Sequence, residues 1–128
     1  MENSFKSYRD LEVWKKAMDV ARNVYKATAN FPAEERFGLT NQIRRSAVSV
    51  PSNLAEGHAR ASAAEFSRFI LISMGSVAEL ETQILLSGDL GYLDNEKKQS
   101  LLSELDLVGK MLRGLSKAIA RRKSQMRT

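Results

Sequence analysis

One run of apolar residues in this chain passes through a proline without losing its period. Between Arg36 and Arg60, Leu39, Ile43, Ala47, Val50 and Leu54 recur at spacings of four, four, three and four, which traces one face of an α-helix. Pro51 lies inside that pattern. A proline in a helix interior removes a backbone donor and clashes one turn back, at a cost of ~3 kcal/mol in an exposed helix. The surviving period predicts a single helix, kinked at Pro51 and continuous across it, with tertiary packing offsetting the cost. Beside the apolar face, Gln42, Arg45 or Ser46, Ser49, Asn53 and Glu56 form a polar stripe. Two readings of that stripe are open. It is either the wetted flank of a surface helix or a hydrogen-bonded seam against another helix or subunit, which small hydroxyls and an amide allow to close tightly. Gly57 is expected to end the helix as a left-handed cap.

The same helical period recurs in three other segments. From about Leu11 to Thr28, Leu11, Trp14, Met18, Ala21, Tyr25 and Thr28 form one row, and Val13, Ala17, Val20 and Val24 form a second beside it. An apolar arc that wide exceeds what one antiparallel neighbour needs. The segment either sits between two neighbours or turns its second row toward another subunit. Asn30, Phe31 and Pro32 stop it, and Ala33 to Phe37 makes a short connection of about one helical turn. After the proline-bearing helix, Ser62-Ala63-Ala64-Glu65 reads as a capping box. It opens a helix whose main stripe is Phe66, Ile70, Ser73, Val77, Leu80 and Ile84. Phe69, Leu71, Ile72, Met74, Ala78 and Leu85 cover much of the rest, so this is expected to be the most buried helix. Gly75 and Ser76 suggest close approach of another backbone there. Two glycines, Gly88 and Gly91, turn the chain, and Asp94 caps a last helix with Leu101, Leu105, Val108, Leu112, Leu115 and Ile119 on one face. Past Ile119 the pattern dissolves. No segment alternates as a strand would. The expected fold is all-α, an antiparallel up-down-up-down four-helix bundle. It forms a single domain over 1–128 with short flexible ends, about 1–7 and 122–128.

Composition sets limits on the chemistry. The 128 residues hold no cysteine, which excludes disulfides and thiolate metal sites. No run approaches the ~20 uninterrupted apolar residues of a membrane span, and the opening M-E-N-S-F-K-S has no signal-peptide core, so a cytoplasmic location is expected. Net charge is +5, but it is uneven. Lys110, Arg113, Lys117, Arg121, Arg122, Lys123 and Arg127 follow Asp106 with no acid among them. Without these seven, 13 basic residues face 15 acidic ones, and the remainder is at −2.

Catalysis is hard to assemble from this sequence. His58 is the one histidine and falls in an expected connection, where a solvated role is ordinary. Glu79 and Glu81, two apart, point in different directions on a helix. Glu56 and Glu79 could approach across helices but lack the Glu-x-x-His units of di-iron bundles. There is no glycine-rich phosphate loop and no nucleophile motif. The expectation is a non-enzyme with no cofactor and no metal. The C-terminal cations suit phosphate contacts, or equally a solvated helix end whose charges favour the C-terminal dipole. Trp14, Tyr25, Phe66 and Phe69 all fall on core rows, so little base stacking is expected and contacts would be to backbone.

Four stretches carry a resemblance to a known family. They are L-E-V-W-K-K-A, N-F-P-A-E-E-R-F-G-L, Q-I-R-R-S-A-V-S-V-P-S-N-L-A-E-G and G-S-V-A-E-L-E-T-Q, covering roughly residues 8 to 93, with S-V-P-S-N-L-A-E-G the most specific. The chain resembles the four-helix-bundle proteins of the 23S ribosomal RNA intervening sequences. That family includes the accessory variability protein of diversity-generating retroelements, a pentameric barrel that associates with a reverse transcriptase and nucleic acid. Ala59 and Ser73 depart from the pattern, standing where glycine and alanine are common. The resemblance implies a homo-oligomer, most simply a pentamer, with Arg113, Lys117, Arg121, Arg122 and Lys123 as a basic rim that holds RNA or DNA without strong sequence readout. Arg44 and Arg45 are weaker candidates. The alternative it implies is an oligomeric scaffold that docks a partner enzyme such as a reverse transcriptase.

Overall fold

The computed structural model describes the backbone of residues 7–127 and the side chains of residues 7–122. The expected flexible N-terminal end, except Ser7, and the side chain of Lys123 lie outside the described residues. Four helices carry the fold: α1 (Glu12–Thr28), α2 (Leu39–Ala59), α3 (Ala63–Asp89) and α4 (Asn95–Arg127), with no strand among the described residues. Short 3-10 turns at Tyr8–Asp10 and Ala33–Glu35 precede α1 and α2. The architecture is an all-α four-helix bundle.

Each helix packs on two others. α1 lies against α2 and α4, and α3 against α2 and α4, while the diagonal pairs do not approach. Contacts between α2 and α3 run in opposite senses along the two helices: Ser49 meets Ser76, and eight residues further on Gly57 meets Phe69. The same reversal relates α3 to α4, where Gly88 lies against Lys98 and Met74 shares a cleft with Arg113. Ile43, Leu54, Val24, Ile70, Leu80, Ile84, Leu105, Val108 and Leu112 fill the centre. Burying a side chain of that size contributes about 1.5–3 kcal/mol each.

α2 is continuous from Leu39 to Ala59, and Pro51 is one of its buried residues. Its neighbour Val50 is also held from outside: the buried Ser73 hydroxyl donates to the Val50 carbonyl at 3.0 Å. The expected glycine cap is corrected. Gly57 lies inside α2 and is buried, and the left-handed residue beyond the helix is Ala61, at φ 58°. A Cβ on Gly57 would stand 2.4 Å from the Cβ of Phe69, so this glycine serves close packing of α3. Of the two residues expected at a close approach, Ser76 is buried against Ser49 of α2, whereas Gly75 faces open space.

α1 takes the first of its two expected arrangements, lying between two neighbours, with Leu11, Ala21 and Thr28 of its first row buried. Val13, Ala17, Val20 and Val24, the row that could have met another subunit, are buried within this chain. In the other row Trp14 and Met18 are half-buried and Tyr25 is exposed. α3 also departs from its expected full burial. Ile70, Ser73, Val77, Leu80 and Ile84 are buried as predicted, but Leu71, Ile72, Leu85 and Leu86 are exposed. α3 is long and apolar enough, by length and composition, to cross a membrane, with 44% of its most apolar window buried in the bundle.

The ends are tied by local polar chemistry. Asp94 accepts from the Lys97 backbone N–H at 2.8 Å, capping α4 as expected. Ser62 accepts from the Glu65 N–H at 3.3 Å. The Glu65 carboxylate, expected to complete a capping box, turns instead to Arg68 at 3.1 Å and Arg60 at 3.4 Å. At the other end, Glu35 accepts from the Leu39 N–H at 3.1 Å and from the Tyr92 hydroxyl at 3.0 Å. One carboxylate thus joins the start of α2 to the turn between α3 and α4.

Candidate nucleic-acid interface

The C-terminal half of α4 presents a run of exposed cations. Arg113, Lys117, Arg121 and Arg122 are exposed, and among the described residues none has a carboxylate within 4.0 Å. Lys110, earlier on the helix, stands 3.9 Å from Asp106. Arg113, Lys117 and Arg121 follow one helix face at i, i+4 spacing. Arg113 borders the cleft between α3 and α4, with Met74, Glu81 and Gly109. Continuing that antiparallel register carries Lys117 and Arg121 alongside the first turns of α3. The Arg60 and Arg68 guanidinium groups there both sit over the Phe69 ring, at 5.0 and 4.6 Å from its centre. These two are already paired, Arg60 with Glu56 at 2.9 Å and Arg68 with Glu65. The Arg68 hydrogen bond, against a smaller opposing effect of burial, holds the Glu65 carboxyl below its ordinary 4.5.

The polar stripe of α2 divides into two parts. Ser49 and Asn53 form a true seam within the chain: Ser49 Oγ lies 2.8 Å from Ser76 Oγ of α3, and Asn53 Nδ2 donates to Ser49 Oγ at 2.9 Å and to the Ser49 carbonyl at 2.8 Å. Ser73, on the same side of α3, adds its bond to Val50. The other three lie outside the seam. Gln42 and Arg45 are exposed, and Glu56 is exposed beside Arg60. The signal that could have identified the α3 half is the pair Ser73 and Ser76, three apart in an otherwise apolar helix.

The groups weighed for catalysis do not converge. His58 sits in the last turn of α2, not in a connection, with its ring edge-on to Phe66 at 5.5 Å. Glu79 and Glu56 lie on opposite sides of the Ser49–Ser76 contact, about ten residues or ~15 Å apart along the helix pair. Glu81 borders the α3/α4 cleft and Glu79 is exposed. Among the described residues no three His, Asp or Glu side chains are grouped as metal ligands. Tyr25, expected in the core, is 45% exposed. It forms part of a hollow between α1 and α2 together with Arg44 and Arg45, a feature the sequence rows did not separate from the core.

The sequence profile of the 23S rRNA-intervening sequence proteins matches residues 9–114. Arg113 falls within that match, whereas Lys117, Arg121, Arg122 and Lys123 lie beyond it. A solved structure from Bacteroides thetaiotaomicron, described as a protein with unknown function from the S23 ribosomal protein family, is similar at a TM-score of 0.74 and 25% identity. The similarity covers 82% of this chain and 98% of that one. No curated protein matches the chain. The match over most of its length places the chain in the 23S rRNA-intervening sequence protein family.

Proposed function

We propose that this protein is a non-enzymatic, cytoplasmic homo-oligomer that associates with RNA or DNA by holding phosphates on the basic end of α4. The observation that carries this reading is the run of exposed cations at Arg113, Lys117, Arg121 and Arg122, none of which has a carboxylate within 4.0 Å among the described residues. Charges paired within the fold, such as Arg60 and Arg68, have little left for a ligand; unpaired ones release counterions when a phosphate arrives. Assembly supports the reading, since each added copy repeats the cluster. The motive for assembly is the outer stripe of α3. Leu71, Gly75, Ala78, Thr82 and Leu85 recur at spacings of four, three, four and three on its exposed face. That is the seam by which helices pair, with small residues in the middle permitting close approach. A ring of five copies is the form the family resemblance suggests.

The test is a labelled RNA and a labelled DNA titrated at several salt concentrations with the Arg121→Ala/Arg122→Ala/Lys123→Ala variant. Each lost phosphate contact flattens the salt slope by ~1 and weakens binding about equally across sequences. Unchanged affinity and slope with the oligomer intact would overturn this reading. A second reading, a scaffold that docks a partner enzyme such as a reverse transcriptase, is favoured by the same α3 stripe, which a helix of another protein could occupy.

A further inference from the structure

We infer that the hollow between α1 and α2 is a phosphate-binding notch centred on Arg44 and Arg45. It has a volume of about 450 Å³ and is lined by Tyr25, Asn41, Arg44, Arg45, Val48 and Ser49. Its donors face a single open space, and no carboxylate is among the lining residues.

Arg44 is set in place before any ligand arrives. Its Nε donates to Thr28 Oγ1 at 2.9 Å, and one terminal nitrogen donates to the Tyr25 carbonyl at 3.4 Å. Thr28 is fixed in turn by donating to the buried Val24 carbonyl at 2.8 Å. The Arg44 guanidinium lies over the Tyr25 ring, 4.6 Å from its centre, a stacking that planar guanidinium favours and lysine does not reproduce. These contacts engage two of its three nitrogens with neutral acceptors, so its positive charge stays uncompensated. Arg45, the next residue, is exposed and has no carboxylate within 4.0 Å among the described residues. The Asn41 amide completes the polar lining beside a Ser49 hydroxyl already engaged by Ser76 and Asn53, and Tyr25 and Val48, 45% and 42% exposed, supply an apolar flank.

Two guanidinium groups flanking one hollow match the several oxygens of a phosphate better than the two of a carboxylate, and charge-assisted N–H···O bonds are the strong class. A held Arg44 beside a free Arg45 means that only one long side chain loses its freedom on binding. The ligand class is therefore a phosphate group, either in a nucleic-acid backbone or as a free phosphate or monoester. The notch is separate from the α4 cluster, and the inference does not rest on that cluster binding anything.

The experiment follows backbone and guanidinium NMR resonances of the full chain, with Arg121→Ala/Arg122→Ala/Lys123→Ala as the background. Inorganic phosphate, a short single-stranded RNA and acetate are titrated in turn. Phosphate or RNA is expected to shift the resonances of Tyr25, Arg44 and Arg45, and acetate is not. Arg45→Ala, at an exposed position, is expected to weaken the association about tenfold without changing Tm. Arg44→Lys, which keeps the charge, is expected to weaken it comparably. A response to phosphate alone assigns a free phosphate or monoester as the ligand, and a response to RNA as well assigns the backbone. No shift at Arg44 and Arg45 with either probe, an acetate response equal to that of phosphate, or an affinity indifferent to Arg45→Ala overturns the inference. Failure of the α4 cluster to bind nucleic acid would leave all these outcomes readable.

Discussion

At Gly57 the missing side chain is what lets α3 close on α2. Gly57→Ala gains helix propensity of at most about 1 kcal/mol, but it drives a Cβ to within 2.4 Å of Phe69 on a packed helix. Overpacking of that kind costs about 1–3 kcal/mol, so a net loss of up to about 2 kcal/mol is expected, read as a lower denaturant midpoint in urea. An unchanged or higher midpoint would show that the two helices separate easily. Tyr92 makes a different kind of prediction. Its hydroxyl donates to Glu35, and that hydrogen bond, followed by burial and the carboxylate charge, raises the phenol above its ordinary 10.0. The unfolded chain loses this proton first. The contribution to stability is therefore complete below about pH 10 and disappears as pH climbs through the raised folded value. Thermal melts of the wild type and Tyr92→Phe should differ at neutral pH and converge in the alkaline range. Parallel curves throughout would remove Glu35 as the cause.

At the scale of elements, the α2/α3 pair shows how a polar seam is used inside an apolar bundle. The Ser73 hydroxyl reaches across to the carbonyl preceding Pro51, and Ser49, Asn53 and Ser76 form a short network one turn away. Ser73→Ala removes the donor and leaves Val50 within its helix. A loss of about 1 kcal/mol is expected, the usual net worth of one buried hydrogen bond. A chemical-denaturation curve checks it, and no loss would mean that the hydroxyl merely fills space. α4 behaves more simply. Leu101, Leu105, Val108, Leu112 and Ile119 are buried as their spacing predicts, and the helix continues past the last of them to Arg127. Helical geometry there outlasts the apolar pattern.

For the whole molecule, the question is which apolar surface is left over once four helices have packed. Phe37, in the connection before α2, is the most exposed at 87%, and much of the rest lies on the outside of α3, where Leu71 is 59% and Leu85 48% exposed. Placing a glutamate at each, Leu71→Glu/Leu85→Glu, puts like charges along any seam built on that stripe. The proposed oligomer should dissociate to a folded monomer, read by light scattering alongside an unchanged helical circular-dichroism spectrum. An oligomer of unaltered mass would assign the assembly to another face. If nucleic-acid binding depends on repetition of the α4 cations around a ring, its apparent affinity should fall together with the mass.

Periodicity and caps are local properties, and the sequence by itself determined what depends on them. The four helices, the unbroken run through Pro51, the Asp94 and Ser62 caps and the inward face of α4 all follow from spacing and from side chains reaching their own backbone. Tertiary structure decided whatever depends on a neighbour's position. α1 carries two apolar rows, and only the placement of α2 and α4 buries Val13, Ala17, Val20 and Val24 while leaving Tyr25 at the surface. Gly57 is a plausible cap until Phe69 is seen against it. Gln42 and Arg45 share a stripe with Ser49 and Asn53, yet only Ser49 finds Ser76 across the interface, with Asn53 bonded to Ser49 behind it. The Arg44–Tyr25 stack joins residues nineteen apart through the approach of two helices, and no spacing within either helix records it. A helical period fixes the angle of each side chain about its own axis. What that angle faces is set by packing.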